Sequence, residues 1–364
     1  MIKRISKHRL GFILLFLGLN SCSVASAPDV PGTVSVAAWN VQALFDGIET
    51  GNEYGEYTPS SGWSEEKYRA RLSFLSQGVD QLAADILALL EVENPQILET
   101  LASETGGKQT YSWTFFANNP EASLGIGVLS RFPFTKTKTH SAVYGTEATP
   151  RPILELWLLP DGQPLVLFIC HWKSKLGGDK NTESLRRASA WIINRRMEEI
   201  QQENPGVPVI ILGDLNENHD EFYRQRGSYL SALLPDDPTA AESASQIPAG
   251  ARVYDDFLII SGEKPPRAEH FPSGSRAFYS PWGIELSQGS YHYQDDWETI
   301  DHLLLSEALF DQLGWDFDSC QVMAQEPFLN AQGYPNAYNP RTGLGLSDHL
   351  PLKLVLRGAP GGSP

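Results

Sequence analysis

Six polar clusters combine the residue types that can assist the attack of water on a phosphate ester. The most informative one lies near the carboxyl end, where Ser347-Asp348-His349 sets a carboxylate beside an imidazole just before an apolar run. The other clusters are Asn40, Glu91, His171, Asp214 with Asn216, and Asp301 with His302. Together they offer oxygen ligands for a divalent cation, histidines that transfer protons, and carboxylates that orient a histidine.

Four of these clusters follow a short apolar run that is typical of a buried strand. Residues 34–39 precede Asn40, residues 86–90 precede Glu91, residues 165–170 precede His171, and residues 209–212 precede Gly213 and Asp214. A continuous apolar run indicates a strand that is buried on both faces. Because polar residues at strand ends gather at one rim of packed sheets, we expect these side chains to share a cleft.

Helical periodicity is clearest in two segments between the strands. Apolar residues recur at helical spacing from Tyr68 to Leu82, behind Ser64 as the predicted N-cap. A second helix is predicted over residues 183–202. Residues 235–299 are rich in Pro, Gly, Ser and aromatic residues, which predicts long loops and a hairpin around residues 289–291. The alternation of strands and helices, without a long linker, indicates a single mixed α/β domain.

Each cluster also has an ordinary structural interpretation. Glu91 could be an acidic strand cap, Asp214 with Asn216 could form a simple turn, and Asp348 with His349 could be a turn before the last strand. Their repeated occurrence at strand ends favours one common site. Alternation along a strand places Asp301 and the residue after it on opposite faces, so only one of them can face that site.

The chain is strongly acidic, with a formal net charge of −16 over 364 residues. Sequence-independent binding of nucleic acid requires a basic surface. The composition therefore excludes a passive polyanion binder, and a polyphosphate substrate would have to be held locally by metal ions and a few placed cations. Lys173 and Lys175, just after His171, are such cations.

The N-terminal segment has the pattern of an export signal. Four basic residues between positions 3 and 9 precede an apolar run over residues 10–19, which is too short to span a bilayer stably. Cys22 ends a lipobox and would become a lipidated N-terminus, whereas Ala27 ends the small-residue motif of ordinary secretion. We favour the lipobox, which predicts a membrane-anchored lipoprotein of the bacterial envelope; the alternative is a periplasmic or secreted protein.

These boundaries predict four segments. Residues 1–22 form the signal peptide with its lipobox, residues 23–32 a tether, residues 33–357 the catalytic domain, and residues 358–364 a disordered tail.

In chain order, the clusters resemble the motifs of the endonuclease/exonuclease/phosphatase superfamily. Its members include deoxyribonuclease-I-like nucleases, sphingomyelinases and inositol-polyphosphate phosphatases. The resemblance covers most of the chain, from about residue 33 to residue 357. It implies an α/β fold, namely a four-layer α/β sandwich with two central mixed β-sheets flanked by helices.

The resemblance also implies a role for each residue. Asn40, Glu91 and Asp348 would bind the metal; His171, Asp214, Asn216, Asp301 and His349 would be catalytic; Arg151, Lys173 and Arg187 would bind the substrate. Asp301 would orient the imidazole of His349. Oxygen ligands favour Mg²⁺ as the cofactor, with Mn²⁺ or Ca²⁺ as alternatives.

Two positions depart from the pattern. Relatives often carry an acid where this chain has Gln42, so a contact from this position to the metal would be neutral. Some nucleases place a glutamate after the arginine that matches Arg151, to pair with their equivalent of His171, whereas here Pro152 follows. The partner that orients His171 is therefore left open.

These observations predict an exported, divalent-metal-dependent phosphodiesterase, and the first choice of substrate is DNA or RNA. The alternative within enzymes is a phosphodiesterase or phosphatase for phospholipid headgroups or small phosphate esters, which the acidic charge and the aromatic-rich segment 271–297 would suit. A catalytically dead surface binding module would have lost key polar groups, and only Gln42 departs among the metal-side residues.

Overall fold

Two β-sheets packed face to face form the centre of the computed structural model. It describes residues 3–4, 32–105, 110–149, 151–235, 256–261, 268, 271, 277–283 and 285–359. The predicted signal peptide, lipobox and tether therefore lie outside the described residues, apart from Lys3, Arg4 and Gly32. Among the described residues, no helix combines the length and the apolarity that crossing a bilayer requires.

The strands are numbered in chain order: β1 (Lys3–Arg4), β2 (Thr33–Leu44), β3 (Ile86–Val92), β4 (Trp113–Ala117), β5 (Gly125–Ser130), β6 (Phe134–His140), β7 (Val143–Tyr144), β8 (Glu147–Ala148), β9 (Ile153–Leu158), β10 (Leu165–His171), β11 (Val209–Asp214), β12 (Leu233–Pro235), β13 (Leu258–Ser261), β14 (Ala277–Tyr279), β15 (Tyr291–Tyr293), β16 (Asp296–Glu298), β17 (Asp301–Leu305), β18 (Trp315–Val322) and β19 (Leu352–Gly358). The helices are α1 (Glu65–Leu82), α2 (Pro95–Glu104), α3 (Asp179–Glu203) and α4 (Glu221–Arg224).

Both large sheets are mixed. The first has the order β1-β4-β5-β3-β2-β19-β18, and the second has the order β12-β13-β14-β17-β11-β10-β9-β6. Strands β2 and β3 are parallel, as are β10 and β11, whereas β17 runs antiparallel to β11 and β19 runs antiparallel to β2. Two short ribbons, β7–β8 and β15–β16, stand outside the sheets.

Alternating side chains divide the core into three apolar layers. Along β2, Val36 and Ala38 join the core between the sheets, whereas Trp39 packs with Leu72 and Leu75 of α1. On the other side, apolar residues of β10 and β11 pack under α3. The order helix, sheet, sheet, helix confirms the predicted four-layer α/β sandwich.

Helix α1 begins where the sequence predicts. The hydroxyl of Ser64 accepts a hydrogen bond from the Lys67 amide at 3.3 Å, which satisfies one free N–H of the first turn. Helix α2 was not predicted, although Asn94 caps it by accepting from the Ile97 amide at 3.1 Å and Pro95 occupies its first turn. The Asn94-Pro95 pair was an available signal.

Helix α3 spans Asp179–Glu203 and so begins four residues before its predicted start, and three predictions for the later part of the chain also change. Segment 235–299 contains the strands β13 and β14 as well as the ribbon β15–β16. The turn of that ribbon lies at Gln294 and Asp295, which have left-handed φ values of +49° and +69°, and not at residues 289–291. Strand β19 reaches Gly358, and the Ala359 amide donates to the Gly314 carbonyl at 2.8 Å, so order extends two residues into the predicted tail. Residues 360–364 lie outside the described part.

Candidate active site

Strand alternation brings four of the predicted residues to one rim of the sandwich. Ala38, Ile169, Leu212 and Leu303 belong to the core between the sheets, and Asn40, His171, Asp214 and Asp301 lie two residues further towards the rim on the same faces. Because side chains two apart share a face, the parity that buries the core also points the polar groups into the cleft between the sheets.

Three neighbouring strands place His171, Asp214 and Asp301 in one row. The register pairs His171 with Asp214 across β10 and β11, and Asp214 with Asp301 across β11 and β17. His302 points to the opposite face, where its Nε2 lies 2.8 Å from the Glu217 carbonyl oxygen. The prediction that only one residue of the Asp-His pair faces the site is confirmed.

Glu91 reaches the rim through a break in the alternation. Leu90 already faces the core between the sheets, so a regular strand would turn Glu91 towards the helices. Instead Glu91 has a left-handed φ of +66°, and the register of β3 shifts between Leu90 and Val92. This uncommon backbone conformation is held by the Ala43 amide, which donates to Glu91 Oε2 at 2.8 Å.

The Asn40 amide joins the two sheets of the site. Its Nδ2 donates to Asp214 Oδ2 at 3.1 Å and lies 3.3 Å from Glu91 Oε1. The backbone amide of Gln42 donates to Asn40 Oδ1 at 3.0 Å, and the Ser347 hydroxyl donates to the backbone carbonyl of Asn40 at 2.6 Å. Asn40 is therefore fixed from the backbone side and from both carboxylates.

The side chain of Gln42 forms hydrogen bonds to backbone groups instead of contributing to the centre of the cleft. Its Oε1 accepts from the amides of Tyr338 at 2.7 Å and Asp348 at 3.1 Å, and its Nε2 donates to the Tyr338 carbonyl at 3.1 Å. The side chain thereby ties strand β2 to the loop that carries Asp348. The expected neutral contact to a metal is replaced by this structural role.

A buried arginine supports the same segment. The guanidinium of Arg71, on α1, donates to the carbonyls of Val41 at 2.6 Å, Gln42, and Ala43 at 2.9 Å, and lies 3.9 Å from the centre of the Tyr338 ring. Gln42 and Ala43 both have left-handed φ values, of +56° and +51°. Arg71 thus stabilises a backbone turn that few residues adopt readily.

His349 forms an ion pair with Asp301, the acid that the resemblance implies as its partner. Its Nδ1 lies 2.8 Å from Asp301 Oδ2, and the Ser290 hydroxyl donates to the same oxygen at 2.6 Å. Burial alone would lower the pKa of His349, but Asp301, followed by Asp348 and Asp214, raises that pKa well above its usual value. The other ring nitrogen, Nε2, lies 4.0 Å from Asp214 Oδ2.

Asp214 is a buried acid with an unusual affinity for protons. Burial, and then the neighbouring Asp301, raise the pKa of Asp214 to about 7. The Asn216 amide donates to its Oδ1 at 2.9 Å, while the Asn216 side chain donates to the Trp172 carbonyl at 3.2 Å. The backbone of Asn216 thus orients Asp214, and its side chain fixes the loop after β11.

His171 lies between two carboxylates. Its Nε2 is 3.5 Å from Asp214 Oδ2 and 3.7 Å from Glu91 Oε1. Burial, with the positive charges of Arg151 and His349 nearby, lowers the pKa of His171 well below its usual value. Its buried Nδ1 has no hydrogen-bond partner within the described part of the chain.

The cleft suits a divalent cation. Asp214, Asp301 and His349 place ligand atoms within 4.8 Å of one another, and His349 Nδ1 is also hydrogen-bonded to Asp301 Oδ2. Asn40 and Glu91 lie in contact beside them. Burial raises the pKa of Asp348, and the negative charge of Glu91 raises it further, against the opposing effect of His349. Several carboxylates in one cleft, beside the side-chain amide of Asn40, fit an oxygen-ligated ion.

The three predicted substrate-binding cations differ in placement. The positive charge of Arg151 helps to lower the pKa of His171 in the site. Lys173 folds onto its own loop and donates to the carbonyls of Ser174 and Leu176, both at 3.1 Å. Arg187 pairs with Asp256 at 2.9 Å and lies over the Phe257 ring, so its contacts within the described part of the chain are with these residues and not with the cleft.

Sequence reasoning missed three residues that shape the site. Ser290 and Tyr291 contact the Asp301–His349 pair, and the Gly289-Ser290-Tyr291 motif was their only signal. Arg71 lies within the apolar stripe that Tyr68, Leu72 and Leu75 form on α1. A charged residue in a predicted buried stripe was the signal for its role.

Comparisons with known proteins agree with this geometry. A model described as the endonuclease/exonuclease/phosphatase family matches residues 35–233, which is more than half of the chain. A comparison with curated proteins gives no match.

Solved structures with the same fold include three of interest. The truncated TDP2 of Caenorhabditis elegans is 16% identical with a TM-score of 0.52, covering 89% of this chain and 97% of its own. A family protein of Bacteroides thetaiotaomicron is 14% identical with a TM-score of 0.50, covering 90% and 98%. The catalytic domain of human nocturnin is 17% identical with a TM-score of 0.52, covering 90% and 94%. The family match and the fold together show that the chain belongs to the endonuclease/exonuclease/phosphatase family.

Proposed function

We propose that this protein is an exported, divalent-metal-dependent phosphodiesterase that cleaves DNA or RNA. The observation that carries the proposal is the meeting of Asn40, Glu91, His171, Asp214 and the Asp301–His349 pair at one rim of the two sheets. This set contains ligands for a cation, two imidazoles, and a carboxylate that orients one of them.

His349 and Asp214 are suited to move the proton of an attacking water. The 4.0 Å gap between His349 Nε2 and Asp214 Oδ2 lies at the centre of the cluster, and both groups have raised pKa values. Asp301 and Ser290 hold the imidazole so that Nε2 faces this gap. Asp214, whose pKa is about 7, can exchange protons efficiently at neutral pH.

His171 is suited to a different role. Because burial lowers its pKa, its ring is neutral at pH 7 and can offer an N–H to a phosphate oxygen without adding a charge. Asn40 donates to both neighbouring carboxylates and keeps them apart. Asn40, Glu91 and Asp348 would hold the cation, Mg²⁺ by ligand type, which would withdraw electrons from the phosphate and balance its charge.

A parallel assay tests the proposal. The purified mature protein is incubated with plasmid DNA, RNA, sphingomyelin and a small phosphodiester in Mg²⁺, and again with excess EDTA. We expect hydrolysis of nucleic acid that EDTA removes and that Asp214→Asn lowers by about a hundredfold or more. Full turnover in EDTA, or equal rates for Asp214→Asn and wild type, would overturn it.

One observation favours a second candidate, a phosphodiesterase for phospholipid headgroups or small phosphate esters. Lys173, Lys175 and Arg187 all have protein partners, and the chain is acidic, so few cations remain to follow a long polyanion. Hydrolysis of sphingomyelin or the small diester at a much higher kcat/KM than nucleic acid would select this candidate.

We also propose that the enzyme is anchored through a lipid on Cys22. The basic start, the short apolar run and the cysteine after Leu19 support this assignment. Several acyl chains anchor a protein stably, whereas one does so only marginally. Cys22→Ser should move the protein from the membrane fraction to the soluble one with unchanged specific activity. A soluble wild-type protein that begins at Pro28 would show ordinary secretion instead.

A further inference from the structure

An aromatic column extends outward from the candidate catalytic imidazole. The Tyr291 ring lies 4.6 Å from the His349 ring between their centres, at an angle of 33°. The Tyr293 ring lies further towards solvent. Its centre is 6.3 Å from that of Tyr291, and the two ring planes are nearly parallel at 14°. We call His349, Tyr291 and Tyr293 the aromatic column. It provides a flat apolar surface that starts at the reacting groups.

The ribbon β15–β16 sets the position of this column. Tyr291 forms a β-bridge with His349, and the Leu350 amide donates to the Ser290 carbonyl at 2.7 Å, so the ribbon is joined to the loop of the site. Tyr291 and Tyr293 are two residues apart and therefore share one face of the ribbon, while His292 on the other face packs against Trp297. The ribbon thus holds Tyr291 against His349 and carries Tyr293 on the same face.

The outer end of the column is open to a ligand. Tyr293 is 52% exposed, although tyrosine carries a large apolar ring. Stacking of a base on such a ring is a main source of affinity for single-stranded nucleic acid, and it is tolerant of sequence because every base has a flat face. Bases inside a duplex are already stacked on each other and cannot offer that face.

The charges around the ribbon limit what can lie beyond the base. Asp295 and Asp296, at the tip, are both exposed and lie two and three residues after Tyr293. A phosphate next to this tip would meet like charge. The column therefore suits a terminal base better than the middle of a continuous strand.

The nearly parallel rings also distinguish between ligands. A quaternary ammonium group, as in choline, is bound best by aromatic rings that surround it. The ring planes of Tyr291 and Tyr293 are only 14° apart. This arrangement matches a stacked base and not a cage that surrounds a cation.

Building on the proposed function, we propose that the aromatic column binds an unpaired terminal nucleobase next to the scissile phosphate. The enzyme then prefers the ends of single strands to duplexes and to closed circles. Tyr293 is the specificity-determining residue, because its ring is the exposed member of the column.

The test compares Tyr293→Ala with Tyr293→Phe, and with Trp191→Ala as a control that removes an exposed aromatic side chain from α3. The substrates are a linear oligothymidylate, its duplex, a circular single strand, an oligomer with an abasic terminal sugar, and a choline phosphodiester. We expect Tyr293→Ala to raise KM for the linear strand about 5- to 100-fold, the range for losing one base–aromatic stack. Tyr293→Phe and Trp191→Ala should leave this KM unchanged. With the abasic oligomer as substrate, which has no terminal base to stack, Tyr293→Ala should also leave KM unchanged.

Several results would overturn the inference while leaving the proposed function intact. These are equal loss on all substrates in Tyr293→Ala, no loss on any, cleavage of circles as fast as of linear strands, or a loss confined to the choline diester. A binding measurement decides the case in which nothing is cleaved and the proposed function fails. The anisotropy of a labelled phosphorothioate oligothymidylate should show weaker binding to Tyr293→Ala, and an unchanged Kd would disprove the column as a base site.

Discussion

Nδ1 of His349 lies 2.8 Å from Oδ2 of Asp301, and the Ser290 hydroxyl donates to that same oxygen at 2.6 Å. Two donors on one buried carboxylate oxygen fix the position of the acid and the orientation of the imidazole ring. The free nitrogen of His349 is then Nε2, on the side of Asp214. Activity should depend on this pair through the orientation of His349 and not through direct contact of Asp301 with substrate.

Asp301→Asn should lower kcat by about a hundredfold or more, because an amide cannot balance the charge of the imidazolium. Since Asp301 raises the pKa of His349, the ring should lose its proton at lower pH in the variant. NMR titration of the histidines and the pH dependence of kcat measure the two effects. Ser290→Ala is the control, and it should give a smaller loss. A variant with wild-type kcat and an unmoved His349 titration would contradict the assignment.

Glu91→Gln should raise the Mg²⁺ concentration required for half-maximal rate by about tenfold or more, because the site loses a charged oxygen ligand. Glutamine keeps an oxygen that can accept from the Ala43 amide, so the midpoint of thermal unfolding should change little. The matched control is Glu93→Gln, two residues along the chain, which should leave the metal requirement unchanged. Unfolding of Glu91→Gln, with a normal metal requirement in the folded fraction, would indicate a purely structural acid.

Arg71→Met should destabilise the fold by about 3 kcal/mol, because the carbonyls of Val41, Gln42 and Ala43 lose a buried donor. The turn that they form holds Asn40 and Gln42, so activity should fall further than the loss of folded protein explains. Urea unfolding and kcat measured on the folded fraction separate the two effects. Arg71→Lys, which keeps a positively charged donor group, should be intermediate; equal behaviour of the two variants would argue against a directed role.

Glu155 should make stability depend on pH. Burial alone would raise the pKa of Glu155, but hydrogen bonds from His140, Arg196 and Trp157 lower that pKa to about 2. The folded state therefore favours the carboxylate, so the stabilisation is complete above about pH 4.5 and is lost as the pH falls towards about 2. Its size is about 3 kcal/mol.

The measurement is urea unfolding of wild type and Glu155→Gln at a series of pH values. The variant should be less stable at neutral pH, and the difference should shrink between about pH 4.5 and 2. Two parallel curves over this interval would show that the carboxylate has no special affinity for its partners.

Strand parity explains why the sequence predicted much of the site. Asn40, His171, Asp214 and Asp301 each keep the face of the apolar residue two positions away, so their convergence follows from the alternation that makes the core. Glu91 breaks that rule, and its direction depends on a left-handed backbone that strand propensity does not reveal.

Other features depend on contacts that are distant in the chain. The Arg187 guanidinium pairs with Asp256, 69 residues away, and the side-chain amide of Gln42 donates to the carbonyl of Tyr338, 296 residues away. No local pattern encodes such partners. The charge of Arg187 therefore indicated a substrate contact, and the position of Gln42 indicated a metal contact. In the fold, both side chains bind protein partners instead.

The chain crosses between the two sheets only twice in its described part, once between β5 and β6 and once between β17 and β18. His171, Asp214 and Asp301 come from the second sheet, whereas Asn40, Glu91 and His349 come from strands or loops of the first. Catalysis therefore requires that the two sheets pack against each other, because each sheet alone carries only part of the site. A partly unfolded intermediate that keeps both sheets but separates them would retain its circular dichroism and lose all turnover.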